Sequence, residues 1–181
     1  MKNEMYSNFT RSLSVGKRAE ERAEKYFNTN NIRFVNVSDD TEYQKKDIDF
    51  ITEQMGSVEV KQNLHKARKG KEGYFFFVET EVGNNPDRSW WNKSKAEWFM
   101  FFSEQQNLGI KIKNDFEFRN FVNDRIINGD HSPYGENRMD FYQDVRSNGV
   151  VIAKNMRVYL DSLNKAGINF YLFRLPAKNK Q

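Results

Sequence analysis

One segment, from Asp47 to Lys61, restricts the folds available to this chain more than any other. Apolar and polar residues alternate on both sides of Gly56, which is the pattern of two strands joined by a turn. The apolar positions of this β-hairpin share one side, and they are Ile48, Phe50, Val58 and Val60. The charged positions share the other side, and they are Asp47, Asp49, Glu59 and Lys61.

The strand register decides which charged residues meet. A slip of one residue would carry acidic side chains into the apolar side, so two short-loop registers remain. One places Asp49 opposite Glu59; the other places Asp49 opposite Lys61, with Glu59 on the diagonal. Two carboxylates at cross-strand distance, roughly 5 Å, repel each other unless a cation lies between them. The hairpin therefore predicts a metal-dependent phosphodiesterase site in which Lys61 holds a phosphate oxygen or the attacking water.

These residues carry a resemblance to a known family. Asp49, followed by Glu59, Val60 and Lys61 on the next strand, resembles the Asp…(Asp/Glu)-X-Lys signature of the PD-(D/E)XK nuclease superfamily, although Ile48 stands where that motif usually has proline. The resemblance implies Mg²⁺ or Mn²⁺ held by Asp49, Glu59 and the carbonyl of Val60. It also implies that Lys61 is catalytic, and it leaves Asp47 as a supporting or alternative ligand.

A helix is predicted upstream, over residues 14–28. Its apolar face consists of Ala19, Ala23, Tyr26 and Phe27, and the Asn-rich run at 28–31 ends it. Residues 16–20 resemble the Gly-X-X-Ala-Glu segment in the first helix of the same superfamily, which supplies a further acidic residue to the metal site. The resemblance implies that role for Glu20, with Glu24 as the alternate; both are equally consistent with solvated glutamates on a helix surface.

The remaining pattern predicts an α/β fold in which helices flank a mixed central sheet. Strands are predicted at 32–37, 74–80 (fully buried), 98–102, 110–113, 150–153 and 169–175, and helices at 116–127 and 158–166. Loops are predicted at 38–46 and 128–137. The helix at 116–127 should turn Phe116, Phe121 and Val122 inward. The order resembles the α-β-β-β-α-β core of restriction-endonuclease-like proteins. We expect a single domain over residues 1–181, with the core motifs at about 14–102 and a C-terminal elaboration at about 103–175.

Basic residues follow the hairpin and recur near two tryptophans. The segment 62–71 is the densest basic cluster, and it contains Lys66, Arg68, Lys69 and Lys71. Lys93 and Lys95 follow Trp90 and Trp91. These two lysines and the four basic residues of the cluster are predicted to contact nucleic-acid phosphates. The two tryptophans either stack on bases or, as is more common, pack in the core. Residues 93–98 resemble a segment of phage-encoded nucleases, which favours a phage or prophage origin.

Composition excludes several kinds of site. The chain has no cysteine, so disulfides, zinc-thiolate centres and thiol nucleophiles are absent. The 29 Lys and Arg residues exceed the 25 Asp and Glu residues, giving a net charge of +4, which permits nucleic-acid binding. The longest apolar runs are too short for a bilayer and the N-terminus is polar, so we expect a cytoplasmic protein without a membrane partner.

The function predicted is a Mg²⁺-dependent nuclease, more specifically an endonuclease, with DNA favoured over RNA. A homodimer is expected if it cuts both strands. Two alternatives remain open: a non-catalytic nucleic-acid-binding or inhibitory protein on a nuclease fold, and a structural or protein-interaction domain whose acidic residues are only a solvated surface.

Overall fold

Strand β3 (Gly56–Lys66) is the strand around which the sheet is assembled. The computed structural model describes residues 2–67, 73–83, 85–127, 141–145 and 151–176. Within these ranges the other strands are β1 (Phe34–Asn36), β2 (Phe50–Thr52), β4 (Tyr74–Val82), β5 (Trp98–Ser103), β6 (Leu108–Lys113), β7 (Phe141–Val145), β8 (Val151–Tyr159) and β9 (Phe170–Arg174). The helices are α1 (Lys2–Thr29), α2 (Thr41–Gln44), α3 (Trp90–Lys93), α4 (Phe116–Ile127) and α5 (Leu160–Lys165), and a 3₁₀ turn covers Pro86–Arg88.

The sheet is mixed, as predicted, and it contains nine strands. Its order is β7-β8-β4-β3-β5-β6-β9, while β2 also pairs with β3 and β1 pairs with β2. β3 and β5 are parallel, and the other pairs are antiparallel. The α/β class predicted from the sequence is therefore confirmed.

Both faces of the sheet bury apolar side chains. Phe99 and Phe101 alternate with Met100 and Phe102 along β5, and the two pairs belong to two separate core clusters. Met100 and Phe102 lie in the α1-side cluster, with Ala19, Ala23, Tyr26 and Phe27 of α1, so the predicted apolar face of that helix is confirmed. Phe99 and Phe101 lie in the opposite cluster, which contains Trp90 and Trp91 of α3, Phe118 and Val122 of α4, and Leu160 and Leu163 of α5.

The predicted hairpin forms, but its ends differ from the prediction. Gly56 has φ of 74°, a left-handed conformation that glycine adopts without a steric cost. β3 continues to Lys66, five residues beyond the predicted hairpin segment, so the first part of the basic cluster, residues 62–66, belongs to the strand. Residues 68–72 lie outside the described ranges, and so does the predicted loop at 128–137.

Several boundaries and burial patterns were also predicted wrongly. α1 begins at Lys2 rather than residue 14, and the predicted loop at 38–46 contains α2. β4 is not fully buried: Phe76, Val78 and Thr80 are buried, while Phe75 and Phe77 are only partly covered. The alternation arises because only one face of β4 packs on the α4 and α5 side.

The C-terminal third contains a strand that the sequence pattern did not reveal. β7 pairs with β8, which runs to Tyr159 and displaces the start of the predicted helix to Leu160. β9 lies within the predicted strand, and α4 has the predicted bounds. None of the helices in the described ranges is long and apolar enough to cross a membrane.

The inward face of α4 was predicted incorrectly. Phe118 is fully buried, whereas Phe116 at the helix start is 75% exposed. Asp115 Oδ1 accepts a hydrogen bond from the Phe118 N–H (3.1 Å), which fixes the first turn with Phe118 inward. Val122, one turn later, is buried as predicted, and Phe121 is partly buried.

We expect Phe118→Ala to lower the free energy of unfolding by about 3–5 kcal/mol, because it removes a ring packed against Trp91 and Phe99. Phe116→Ala, the matched control in the same helix, should change it by no more than about 0.5 kcal/mol. Denaturant unfolding followed by circular dichroism measures both. Equal effects at the two positions would contradict the observed orientation of α4.

Candidate active site

The hairpin register places the two central acidic residues next to each other. Phe50 pairs with Val58, and extending this register by one residue puts Asp49 opposite Glu59. Of the two registers that the sequence allowed, this is the first. Asp49 precedes β2, and its N–H donates to the carbonyl of Val58 (2.9 Å).

Asp49 is held on β3 by a second hydrogen bond. Its Oδ2 accepts from the N–H of Val60 (2.8 Å), so Asp49 bonds to the residues on either side of Glu59. Burial raises the pKa of the Asp49 carboxyl, and the Lys61 ammonium and the Val60 N–H offset only part of that effect. The main chain of β3 therefore fixes a carboxylate whose charged form is costly in this position.

Glu59 is the most deeply buried charged group of the site. Its side chain is 2% exposed, Oε1 forms an ion pair with Lys61 Nζ, and Oε2 has no hydrogen-bond partner among the described residues. Burial raises the pKa of Glu59 well above its usual range; Lys61 opposes this rise and Asp49 adds to it. The positive charge of Lys61 thus compensates the negative charges of both Asp49 and Glu59.

Lys61 is enclosed by aromatic side chains on the α3 side of the sheet. Its Nζ lies 5.5 Å from the centroid of the Trp90 ring, and Lys61 pairs in register with Phe101 of β5. Burial lowers the pKa of Lys61, but Glu59 and Asp49 more than compensate and raise it above its usual value. Lys61 is therefore a cation that donates hydrogen bonds rather than a general base.

The charged side of the hairpin is partly buried, unlike the solvated surface of the structural alternative. Val58 and Val60 pack in the α1-side cluster, so Glu59 and Lys61 point to the opposite face, which α3 and α4 also bury. Ile48 was predicted to share the side of Phe50, but it packs in the α3-side cluster. Asp47 has φ of 46°, and this left-handed residue interrupts the alternation just before Ile48.

Asp47 links the site to α3. Lys93 Nζ forms an ion pair with Asp47 Oδ2 at 3.1 Å. This oxygen is buried, and no group among the described residues donates it a hydrogen bond of normal geometry. Ser94 Oγ donates to the carbonyl of Asp47 (3.2 Å), and the Lys95 N–H donates to the carbonyl of Lys46 (2.8 Å). Lys93 is thus engaged beside the carboxylates, while the side chain of Lys95 is exposed.

Arg119 of α4, which sequence reasoning did not single out, holds α3 in place. Its guanidinium donates to the carbonyls of Trp91 and Ser94 and lies 4.1 Å from the Trp91 ring centroid. Burial lowers the pKa of Arg119 to about 10. The sequence prediction gave no signal for Arg119, because it placed Phe116 rather than the adjacent Phe118 inward. Trp90 and Trp91 are buried, so the core interpretation of the tryptophan pair is correct.

The two glutamates of α1 bond to β1 and the residues that follow it. Glu20 Oε2 accepts from Ser38 Oγ (3.0 Å), and Glu24 Oε1 accepts from Asn36 Nδ2 (3.0 Å). In the described part of the chain, no three His, Asp or Glu side chains are grouped closely enough to hold a metal ion. Glu20 is therefore not gathered with Asp49 and Glu59 in this structure, and its role as a ligand stays a prediction.

The basic residues are divided. Lys66, the last residue of β3, is exposed, while Arg68, Lys69 and Lys71 lie outside the described residues.

For a divalent cation, the donor set consists of Asp49 and the unpartnered Oε2 of Glu59, which are hard oxygen ligands. The residues present therefore fit an ion that takes two carboxylates and completes its coordination with main-chain or water oxygens.

Comparison with family models, with curated proteins and with solved structures finds no match to this chain.

We expect Asp49→Asn to raise the free energy of unfolding at neutral pH in the presence of a chelator. The substitution removes a buried negative charge beside Glu59, and the amide oxygen keeps the bond from Val60. The gain should shrink as the pH falls towards the usual pKa of aspartate, because the wild-type carboxyl then folds protonated. Denaturant titrations at several pH values measure it. Asp87→Asn, at an exposed position, is the control, and a lower stability for Asp49→Asn would contradict the expectation.

Proposed function

We propose that this protein is a divalent-metal-dependent nuclease of the PD-(D/E)XK type, with DNA as its favoured substrate. The observation that carries the proposal is the cluster of Asp49, Glu59 and Lys61 on the hairpin, in which Glu59 is buried, the other two are partly buried, and one cation serves two carboxylates. A hairpin with only a structural role would gain nothing from this arrangement, because burying a charge without full compensation lowers the free energy of unfolding.

The topology gives further support. With the short elements β1, α2 and the 3₁₀ turn left aside, α1, β2, β3, β4, α3 and β5 come in the order α-β-β-β-α-β, with α1 on one face of the sheet and α3 on the other. This order agrees with the restriction-endonuclease-like core that the sequence resemblance implied. The signature residues lie on β3 and immediately before β2, as the motif requires.

In the proposed site Asp49, Glu59 and the carbonyl of Val60 would hold Mg²⁺ or Mn²⁺, while Glu20, the predicted additional ligand, bonds to Ser38 in this structure. When bound, the cation supplies a water of lowered pKa and positive charge opposite the scissile phosphate. The ion would also provide the partner that Glu59 Oε2 lacks. Glu59 would then no longer depend on Lys61 for all of its compensation.

The protein's own cations would act on the phosphate. Lys61 would donate hydrogen bonds to a phosphate oxygen or orient the attacking water, and the Trp90 ring covers one side of its ammonium. Lys93 is poised to exchange Asp47 for a second phosphate oxygen. Arg119 is a positioning residue, because it fixes the helix that carries Trp90 and Lys93.

A second function is favoured by one contact. The direct ion pair between Lys61 and Glu59 neutralises one carboxylate without any metal. A nucleic-acid-binding protein that kept the fold but lost cleavage would be compatible with such a pair. Metal-dependent cleavage separates the two proposals.

We expect Asp49→Asn and Lys61→Ala each to reduce metal-dependent cleavage of DNA at least about 100-fold, since each removes a group that acts on the reacting phosphate. The measurement is cleavage of supercoiled plasmid and of labelled branched and single-stranded DNA, with Mg²⁺, Mn²⁺ or a chelator.

Exposed residues of the same types serve as controls. Asp87→Asn and Lys45→Ala should cleave like the wild type, because both positions lie on the surface. Circular dichroism establishes that every variant is folded. Unchanged cleavage by a folded Asp49→Asn variant would refute the proposed catalytic site.

A further inference from the structure

A second group of aromatic and basic side chains lies on strands β3, β4 and β8, apart from the candidate active site. We call it the aromatic platform, and it consists of His65, Phe75, Phe77, Arg157 and Tyr159. The sheet register brings these residues together: Phe75 pairs with His65 on one side and with Tyr159 on the other, and Phe77 pairs with Arg157. Each member thus stands next to another on a neighbouring strand.

The rings of the platform are in mutual contact. His65 stacks on Phe75 with centroids 5.4 Å apart and an interplanar angle of 25°, and it meets Phe77 edge-on at 5.3 Å. The guanidinium of Arg157 lies 5.5 Å from the Phe75 centroid and 5.7 Å from that of Phe77. Partial desolvation by the neighbouring rings lowers the pKa of the His65 imidazole, although much of its side chain is exposed.

The platform occupies the same face of the sheet as α1. The alternate residues Leu64, Phe76 and Val158 are buried in the opposite cluster with α5, so the platform residues point the other way. α1 packs on β3 and β5 on this face. The side chain of His65 is exposed, and Phe75 and Arg157 are partly exposed.

Two polar atoms at the platform have no hydrogen-bond partner among the described residues. Arg157 Nε is a buried donor, and Asn63 Oδ1 is a buried acceptor. Asn63 adjoins the platform, because its Nδ2 donates to the carbonyl of Phe77 (2.9 Å). Both atoms are covered by protein, so a bound group would meet the exposed ring faces rather than these two atoms.

We propose that the aromatic platform binds unpaired bases of a nucleic-acid strand. A base offers a flat face to His65 and Phe75, and its phosphate offers a partner to the partly exposed Arg157 guanidinium. A docked protein segment would instead favour aliphatic side chains in a groove. A duplex keeps its bases stacked on one another, so it cannot present their faces to the platform.

This inference rests on the proposed nuclease function and narrows its substrate. β3 carries Lys61 at the candidate active site and His65 at the platform, four residues apart, or roughly 13 Å along a strand. A strand held at His65 would be close to the site but on the other face of the sheet. Because the platform takes unpaired bases, the substrate class is single-stranded or branched nucleic acid, whose free strand would reach the platform around the end of β3.

The test measures binding and cleavage separately. Fluorescence anisotropy of the full chain in chelator compares labelled single-stranded DNA of about 20 nucleotides, its duplex, and an abasic strand of equal length. We expect the single strand to bind at least about tenfold more tightly than either of the other probes, and Phe75→Leu and His65→Ala each to weaken that binding about tenfold. Binding of the abasic strand should not change.

Tyr171→Leu is the matched control, because Tyr171 is 56% exposed on the distant strand β9. Unchanged single-strand binding by folded Phe75→Leu and His65→Ala would overturn the platform, as would equal affinity for the abasic strand. Metal-dependent cleavage by the wild type would then leave the nuclease proposal intact. Platform-dependent binding without cleavage under any metal would instead refute the nuclease and keep the platform.

Discussion

The buried ion pair between Glu59 and Lys61 is the interaction on which the rest of the structure depends. Glu59 lies in the central strand, is 2% exposed, and has Asp49 as its neighbour across the hairpin. An ion pair in such a place stabilises a fold only when its geometry and its surroundings are fixed. The surrounding elements supply that rigidity: β5 runs parallel to β3 on one side, β2 closes the other, and α3 covers the aromatic face.

The second constraint is the attachment of α3. This helix has only four residues, so its own hydrogen bonds cannot hold it. It is fixed from two directions, by the guanidinium of Arg119 on its carbonyls and by the pairing of Lys93 with Asp47. Trp90 reaches Lys61 because of these contacts. The site is therefore built from segments far apart in the chain, and a substitution in α4 would alter the surroundings of Lys61 on β3.

The sequence was informative where a pattern was local. The register of the hairpin was narrowed to two choices by parity, and the residues of the α1 apolar face were identified by their spacing, because both depend on neighbours along the chain. It failed where a second layer of protein intervened. The alternation of the hairpin did not show that its charged side would be covered, but α3 and α4 pack on that face of the sheet. Phe116 was expected to be inside, but the cap at Asp115 turns Phe118 inward.

By itself, the sequence determined that Asp49, Glu59 and Lys61 would meet, since a two-residue period and one glycine turn leave little freedom to a hairpin. It also determined the mixed α/β class. Only the tertiary structure decided that Glu59 is buried beside two partly buried charges, that Glu20 bonds to Ser38, and that Arg119 holds α3. It alone placed His65 beside Phe75 and Arg157. Those outcomes depend on which strands become neighbours, and that choice is made by long-range packing rather than by local pattern.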